Sequence, residues 1–446
     1  MLKHRKRIVV LGAALAFAFA AARPLMAQAA PAGQQPAYTI PEYNAFQAAQ
    51  AEKDPTAQVK DLDDFVSKFP NSTLLQYVYE LYYQAYFKQK NYAKSIEYAD
   101  KLIALDDKAE LPRRLAAVQA RVQLFGSVFN AKAPDAQDQL TKERDAALLG
   151  LKLLPDIKKT NPNVTDDQIK QLTASFENAA GFADLQLKDN AAAAEAFKAV
   201  LAASPTDGAT SYRLGLAYLN MAPPQAMDGF WAIARAIDLK MQGADKVKDY
   251  LRSRILAYEQ PGCDSQVDAQ LDEMLQLAMN SPDRPATYAI PSHDDLSKIS
   301  QSSTIISVIG DLSMSGDKAK QTWLAICGAE FPEVVGKIID EQKSADHIDF
   351  LVFTSASADE MQAATMPNMS VRVYTAAPAG STTAQVTPQP DVERLSKDDE
   401  IRFSGALVSY DPSPFLLHWD SVQVDPTIIP EKGGAKKPAA KKPAAH

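Results

Sequence analysis

Only two cysteines, Cys263 and Cys327, interrupt the 446 residues. So few thiols exclude a disulfide-dense scaffold and a cysteine-rich zinc module. One long-range bridge and a pair of buried thiols acting as small apolar residues both remain open. Histidine is scarce too: beyond His4 the chain has only His293, His347, His418 and the terminal His446, with no metal-ligand spacing between them. No HExxH, CxxC, GxxxxGK or GxSxG occurs, and no GxGxxG follows a strand-like run. No catalytic residue, cofactor or metal is therefore expected, and a non-enzymatic role follows. Past residue 22, long apolar runs are also missing, so no membrane span is expected.

The ends carry what the middle lacks. Lys3, Arg5, Lys6 and Arg7 precede an apolar run from Ile8 to Ala22, then Arg23-Pro24 and Ala27-Gln28-Ala29. Basic, apolar and small-residue parts in that order read as a secretory signal over 1–29, cleaved after Ala29. The expected location is the periplasm or the medium. No cysteine near the cut provides for a lipid anchor. Residues 30–56 are expected to be a flexible lead-in. Residues 433–446, with Lys436, Lys437, Lys441 and Lys442 among Ala and Pro, have nothing to bury and are expected to be disordered.

Positive charge is in deficit. The precursor's formal −8 becomes −13 once the five basic residues of the signal are removed. Such acidity repels a phosphate backbone and argues against nucleic acid as a partner.

Between residues 58 and 330, Ala, Leu, Gln, Lys and Asp dominate, with apolar residues every three or four positions and Pro or Gly as punctuation. Helices are expected at 58–69, 73–89, 92–106, 111–130, 135–154, 166–187, 190–203, 208–220, 225–239, 244–258 and 264–280. Short connections make neighbours antiparallel, giving a stack of hairpins. Asp264, Asp268 and Asp272 line one helix face, as a solvated surface or, less simply, a cation site.

Three segments share a spacing of bulky and small residues. One from Gln76 has Tyr79, Tyr82 and Tyr86, then Ser95, Ala99 and Leu102; a second from Glu177 has Gly181, Ala193, Phe197 and Pro205. The third, from Ser211, has Leu214, Gly215 and Tyr218, then Met227, Trp231 and Ala234. This pattern resembles the tetratricopeptide (TPR) repeat, with departures at Tyr83, Asp184 and Met227. The resemblance implies a mainly α fold: a TPR-like solenoid over 57–330 with a superhelical groove for protein or peptide. Within the tyrosine-rich segment, Tyr77 and Tyr83 are the candidates to face that groove, and the others are core.

After residue 330 the pattern changes. Runs at 334–339, 348–353, 369–374, 401–408 and 415–424 alternate β-branched and aromatic residues, with a helical stretch at 358–364 and glycines at 336 and 405 suggesting bends or bulges. Five short strands imply a small closed barrel over 331–432. The segment LSKDDEIRFSGALVSYD is similar to the fourth strand and lead-in of oligonucleotide/oligosaccharide-binding (OB) barrels. That similarity would imply ligand binding on the barrel face. From Glu333 to Glu431, however, 16 acidic residues face six basic ones. A docking or glycan use is expected over nucleic acid. Asp398, Asp399, Glu400, Asp411 and Asp420 are too numerous and loop-like to select a catalytic pair.

Tyr410-Asp411-Pro412-Ser413-Pro414-Phe415 is a rigid loop, and with the N-terminal hairpins it is similar to exported TPR proteins of acidobacteria. Tyr410 and Phe415 are candidate docking residues; a tight connection between strands is the plainer alternative. The reading favoured throughout is a periplasmic protein-binding scaffold of the cell envelope. The alternative is a glycan- or peptidoglycan-binding protein acting through the barrel.

Overall fold

A computed structural model describes residues 38–378 and 387–432. The signal, its cleavage site, residues 30–37 and the lysine-rich segment 433–446 lie outside the described residues. The chain divides into two compact units that meet inside one helix, at Ala179 and Ala180.

The first unit is all helix: α1 (Ile40–Ala51), α2 (Pro55–Lys68), α3 (Leu75–Lys88), α4 (Tyr92–Ile103), α5 (Leu111–Val128), α6 (Ala136–Thr160) and the first part of α7 (Asp166–Leu187). The flexible lead-in expected over 30–56 is corrected by α1. Thr39 accepts from the Glu42 N–H while the Glu42 carboxylate accepts from the Thr39 N–H, a capping box that starts this helix. Phe46 and Ala49 then bury with Leu62, Phe65 and Val78.

The second unit continues with α8 (Asn190–Ala203), α9 (Gly208–Asn220), α10 (Ala226–Asp238), α11 (Ala244–Glu259), α12 (Ser265–Asn280), α13 (His293–Ser302), α14 (Ile305–Ser313) and α15 (Asp317–Ile326). The helices expected from residue 58 to 280 all form, with ends shifted by a few residues.

A local code repeats at the hairpin turns. Lys90 and Lys188 take left-handed φ values of 60° and 68°, the next residue's N–H bonds back to Tyr86 O and Asp184 O, and Asn91 and Asp189 then cap the following helix. The C-terminal turn of one helix and the N-cap of the next are thus satisfied by two adjacent residues.

Packing inside the hairpins rests on small residues. A methyl added at Gly215 of α9 would stand 2.5 Å from Ile233 Cγ1 and 2.8 Å from Gly229 O of α10, so only glycine admits this approach. A methyl at Gly181 would stand 2.8 Å from the Phe197 ring, and Ala193, Phe197, Trp231 and Ala234 are buried. These positions are the small and aromatic ones that carried the repeat pattern.

The chain then forms β1 (Glu330–Lys343), β2 (His347–Phe353), the short α16 (Ala358–Ala363), β3 (Met369–Tyr374), β4 (Glu400–Pro412) and β5 (Phe415–Val424). Strand order β1-β2-β3-β5-β4 closes into a barrel. β3 and β5 pair in parallel, and the other neighbours pair antiparallel. The register shifts between Ser404 and Ala406, across Gly405, as expected for a bulge. Gly336 instead gives room to Val352, which a methyl there would strike. The fold is therefore mainly α, a stack of helical hairpins followed by a small five-stranded barrel.

The barrel is not a separate module. Its interior residues Val334, Ile338, Phe350, Val371 and Trp419 share one core with Val308 and Leu312 of α14 and with Trp323 and Ile326 of α15. Cys263 and Cys327 are joined by a disulfide, with Cα atoms 5.6 Å apart across 64 residues of sequence. It ties the chain entering α12 to the end of α15, just before β1. Gly262 is required beside it, because the Cys327 carbonyl occupies the space a Cβ would need.

Candidate functional sites

Tyr83 is a core residue. It is 9% exposed and packs with Ala99, Leu102 and Ala117, and burial pushes its hydroxyl up to about 12. The expectation that it faces a groove is corrected, because its position in α3 points towards α4 and α5. Tyr82, its neighbour, is buried against Tyr98 at 3.9 Å between ring centroids and donates its hydroxyl to Asp63 at 2.6 Å.

Tyr77 is half-buried at the edge of α3. Its hydroxyl donates to Glu110 Oε1 at 2.5 Å, and the Arg113 guanidinium lies 4.1 Å from its ring centroid. Burial, and then Glu110, push its hydroxyl up to about 12. Gln76 accepts from the Glu110 N–H at 2.8 Å, and Arg113 also pairs with Glu80. These contacts join residues 33 or 34 apart, one repeat length, so Tyr77 sits where successive hairpins meet.

Tyr410 and Phe415 lie at the turn end of the β4–β5 hairpin. Both are half-buried against the core shared by the barrel and α14–α15, with the Tyr410 ring centred 5.0 Å from that of Trp323. Asp411 and Pro412 belong to β4 and Phe415 to β5, so the loop is the tight connection. Of the four candidate docking residues, Tyr77 lies in the first unit and Tyr410 and Phe415 share the barrel hairpin.

The aspartates of α12 are paired rather than vacant. Arg252 reaches Asp268 at 2.5 Å and Lys248 reaches Asp272 at 2.8 Å, both from α11. Each cation removes the like-charge repulsion that would have favoured a bound metal. On the barrel, Asp398 pairs with Lys337 at 3.0 Å, and Asp411 lies 2.8 Å from His418. Along the outer side of β2 and β3, Asp349 bridges to Arg372 at 2.8 Å and His347 lies against Tyr374 at 5.7 Å.

Two groups escaped the reading of the sequence. Glu143 of α6 is buried 3.6 Å from Arg121, and desolvation, working against that arginine, pushes its carboxyl up to about 8. Glu259, at the end of α11, is 0% exposed, neither carboxyl oxygen has a hydrogen-bond partner within normal distance among the described residues, and burial, against a smaller opposing effect of Gln270, pushes it up to about 7. A glutamate ending a helix reads in sequence as a surface residue, so only tertiary packing reveals it.

Two adjoining clefts open along α13–α15. One, of about 430 Å³, is bounded by Ala289, Ile290, Pro291 and Lys298; the other, of about 330 Å³, by Ser302, Ser303, Asp311 and Thr322. Ile299 and Gln321 line both.

No protein-family profile and no curated protein matches the chain. Solved structures with partial likeness include TPR proteins. MamA from Desulfovibrio magneticus RS-1 is 17% identical and matches over 46% of this chain and 98% of its own, with a TM-score of 0.28. A TPR protein of Thermus thermophilus is 16% identical over 48% of this chain and 99% of its own, with a TM-score of 0.25. The TPR2AB domain of yeast Sti1, solved as its pHSP90 complex, is 12% identical over 53% of this chain and 95% of its own, with a TM-score of 0.16.

Proposed function

We propose that this chain is an exported, non-enzymatic scaffold of the TPR kind that holds a protein or peptide of the cell envelope on its helical hairpins. The observation that carries this reading is the repeated hairpin construction, in which the same turn code and small-residue contacts recur. Such units exist to stack, and stacked hairpins present extended side-chain surfaces suited to a macromolecular partner. The disulfide supports export, because such bonds persist in oxidising compartments. The N-terminal tripartite segment supports it as well.

Crosslinking and hydrogen exchange in native periplasmic extract test this proposal. Partner protection should fall on the hairpins between residues 57 and 330, and N-terminal sequencing should begin at residue 30. Protection confined to residues 331–432 would sink it.

The second reading is glycan binding through an OB-like barrel. The polar and aromatic side chains along the outer side of β2 and β3, Asp349, Arg372, His347 and Tyr374, favour it. Saturation-transfer measurements on the whole protein with peptidoglycan fragments would show it by a signal lost in Tyr374→Ala.

A further inference from the structure

We propose that the paired clefts along α13–α15 bind an extended, uncharged stretch of polypeptide with small polar side chains. This deepens the scaffold reading, on which it rests, by naming one site and the chemistry of its ligand.

Gln321 is the central observation. It is half-buried, lines both clefts, and its side-chain amide makes no hydrogen bond among the described residues. A primary amide offers two donors and an acceptor side by side, and a peptide unit presents the complementary pair. Around it the hydroxyl hydrogens are already committed. Ser302 donates to Lys298 O at 2.8 Å, Ser303 to Ile299 O at 2.7 Å, and Thr322 to Asp311 Oδ2 at 3.1 Å. What these three groups have left is oxygen lone pairs, so the 330 Å³ cleft is rich in acceptors. Main-chain N–H groups are the donors such a surface suits.

Charge and floor narrow the side chains. Asp311 is paired with Lys318 at 2.6 Å, and Asp295 stands 3.8 Å from Lys298. Two acids and two lysines leave the groove balanced, with no field to select an acidic or a basic ligand. Ile299 supplies an aliphatic contact where the clefts join, and Ile290 and Pro291 extend it. Among the described residues no aromatic ring lines either cleft, so a sugar would lack the flat platform on which its apolar face stacks. The two volumes, about 330 and 430 Å³, each suit a few residues of extended chain.

The test uses the full chain and blocked octapeptides, acetyl-(Ala-Ser)4-amide beside acetyl-(Ala-Glu)4-amide and acetyl-(Ala-Lys)4-amide, with chitotetraose as the sugar. Calorimetry or NMR titration should show the Ala-Ser peptide bound most tightly. Gln321→Ala should weaken it about fivefold, the scale of one lost neutral hydrogen-bond partner, with the melting temperature unchanged. Where that variant melts early, Gln321→Met keeps the length and the neutral charge, removes the amide's donors and acceptor, and should give the same loss. Affinity indifferent to both substitutions, tighter binding of a charged peptide, or preference for the sugar would each overturn the proposal. If no octapeptide binds while envelope partners still protect the hairpins, this site falls and the broader scaffold reading stands.

Discussion

Tyr82 and Tyr83 are adjacent in sequence, yet both are interior, because α3 has neighbours on two sides. One face of α3 packs on α2 and another on α4 and α5, leaving Gln84 and Phe87 exposed, which the composition of one helix cannot reveal. Tyr83→Ala should therefore cost about 3 kcal/mol, close to Tyr82→Ala, by analogy with other large-to-small core changes. Chemical denaturation of the two variants checks this, and a Tyr83 variant as stable as the parent would contradict the burial. Gly215 carries the opposite lesson. Its place in the repeat pattern already called for a small residue, and the contact with Ile233 and Gly229 supplies the reason. Gly215→Ala should lose about 1–3 kcal/mol to overpacking, against the usual gain of an alanine within a helix. A melting curve unchanged by this substitution would mean that α9 and α10 part easily.

At the scale of elements, turn chemistry is local. Lys-Asn at 90–91 and Lys-Asp at 188–189 end one helix and cap the next using groups no more than a few residues away, so neither needs tertiary context. The same holds for α1, whose Thr39-Ile40-Pro41-Glu42 has capping-box spacing and could have been read. Helices α13 and α14 were harder. Their capping boxes use Asp295 and Ser307 where Glu or Gln is usual, and the helices are only ten and nine residues long. The disulfide belongs to this scale also. Two cysteines 64 apart leave bridge and free thiols equally open until α12 and α15 are packed together. Reduction, or Cys327→Ser, should destabilise the protein by up to about 4 kcal/mol, as expected for releasing a loop of this length. Without reductant, the denatured protein should show no titratable thiol, and after reduction it should show two.

The whole molecule responds to pH through its buried carboxyls. Glu259 has a folded pKa of about 7 against a usual value of 4.5, so the folded state holds a proton that the unfolded chain releases between those limits. Its contribution to stability is complete below pH 4.5 and falls by about 1.4 kcal/mol per pH unit until pH 7. Glu259→Gln keeps the neutral shape and should flatten that decline. Urea midpoints at pH 5 and pH 7.5 measure it, and an identical slope in the variant would rule out Glu259 as the source. Glu143 adds a similar decline that continues to about pH 8. Neither group was detectable beforehand, because desolvation depends on what packs around the carboxyl rather than on its neighbours in sequence.

The sequence alone determined the helical hairpins, their turns, the small residues between them and the five strands, since these follow from periodicity and short-range hydrogen bonding. It also set the acidity that disfavours a phosphate ligand. Tertiary structure alone decided that the barrel shares its core with α14 and α15, that the cysteines meet, that Tyr83 is interior and that Gln321 stands between two clefts. Each of these depends on which faces come together, and the apolar residues that signal a buried face do not name its partner. The candidate sites were therefore much less legible than the fold.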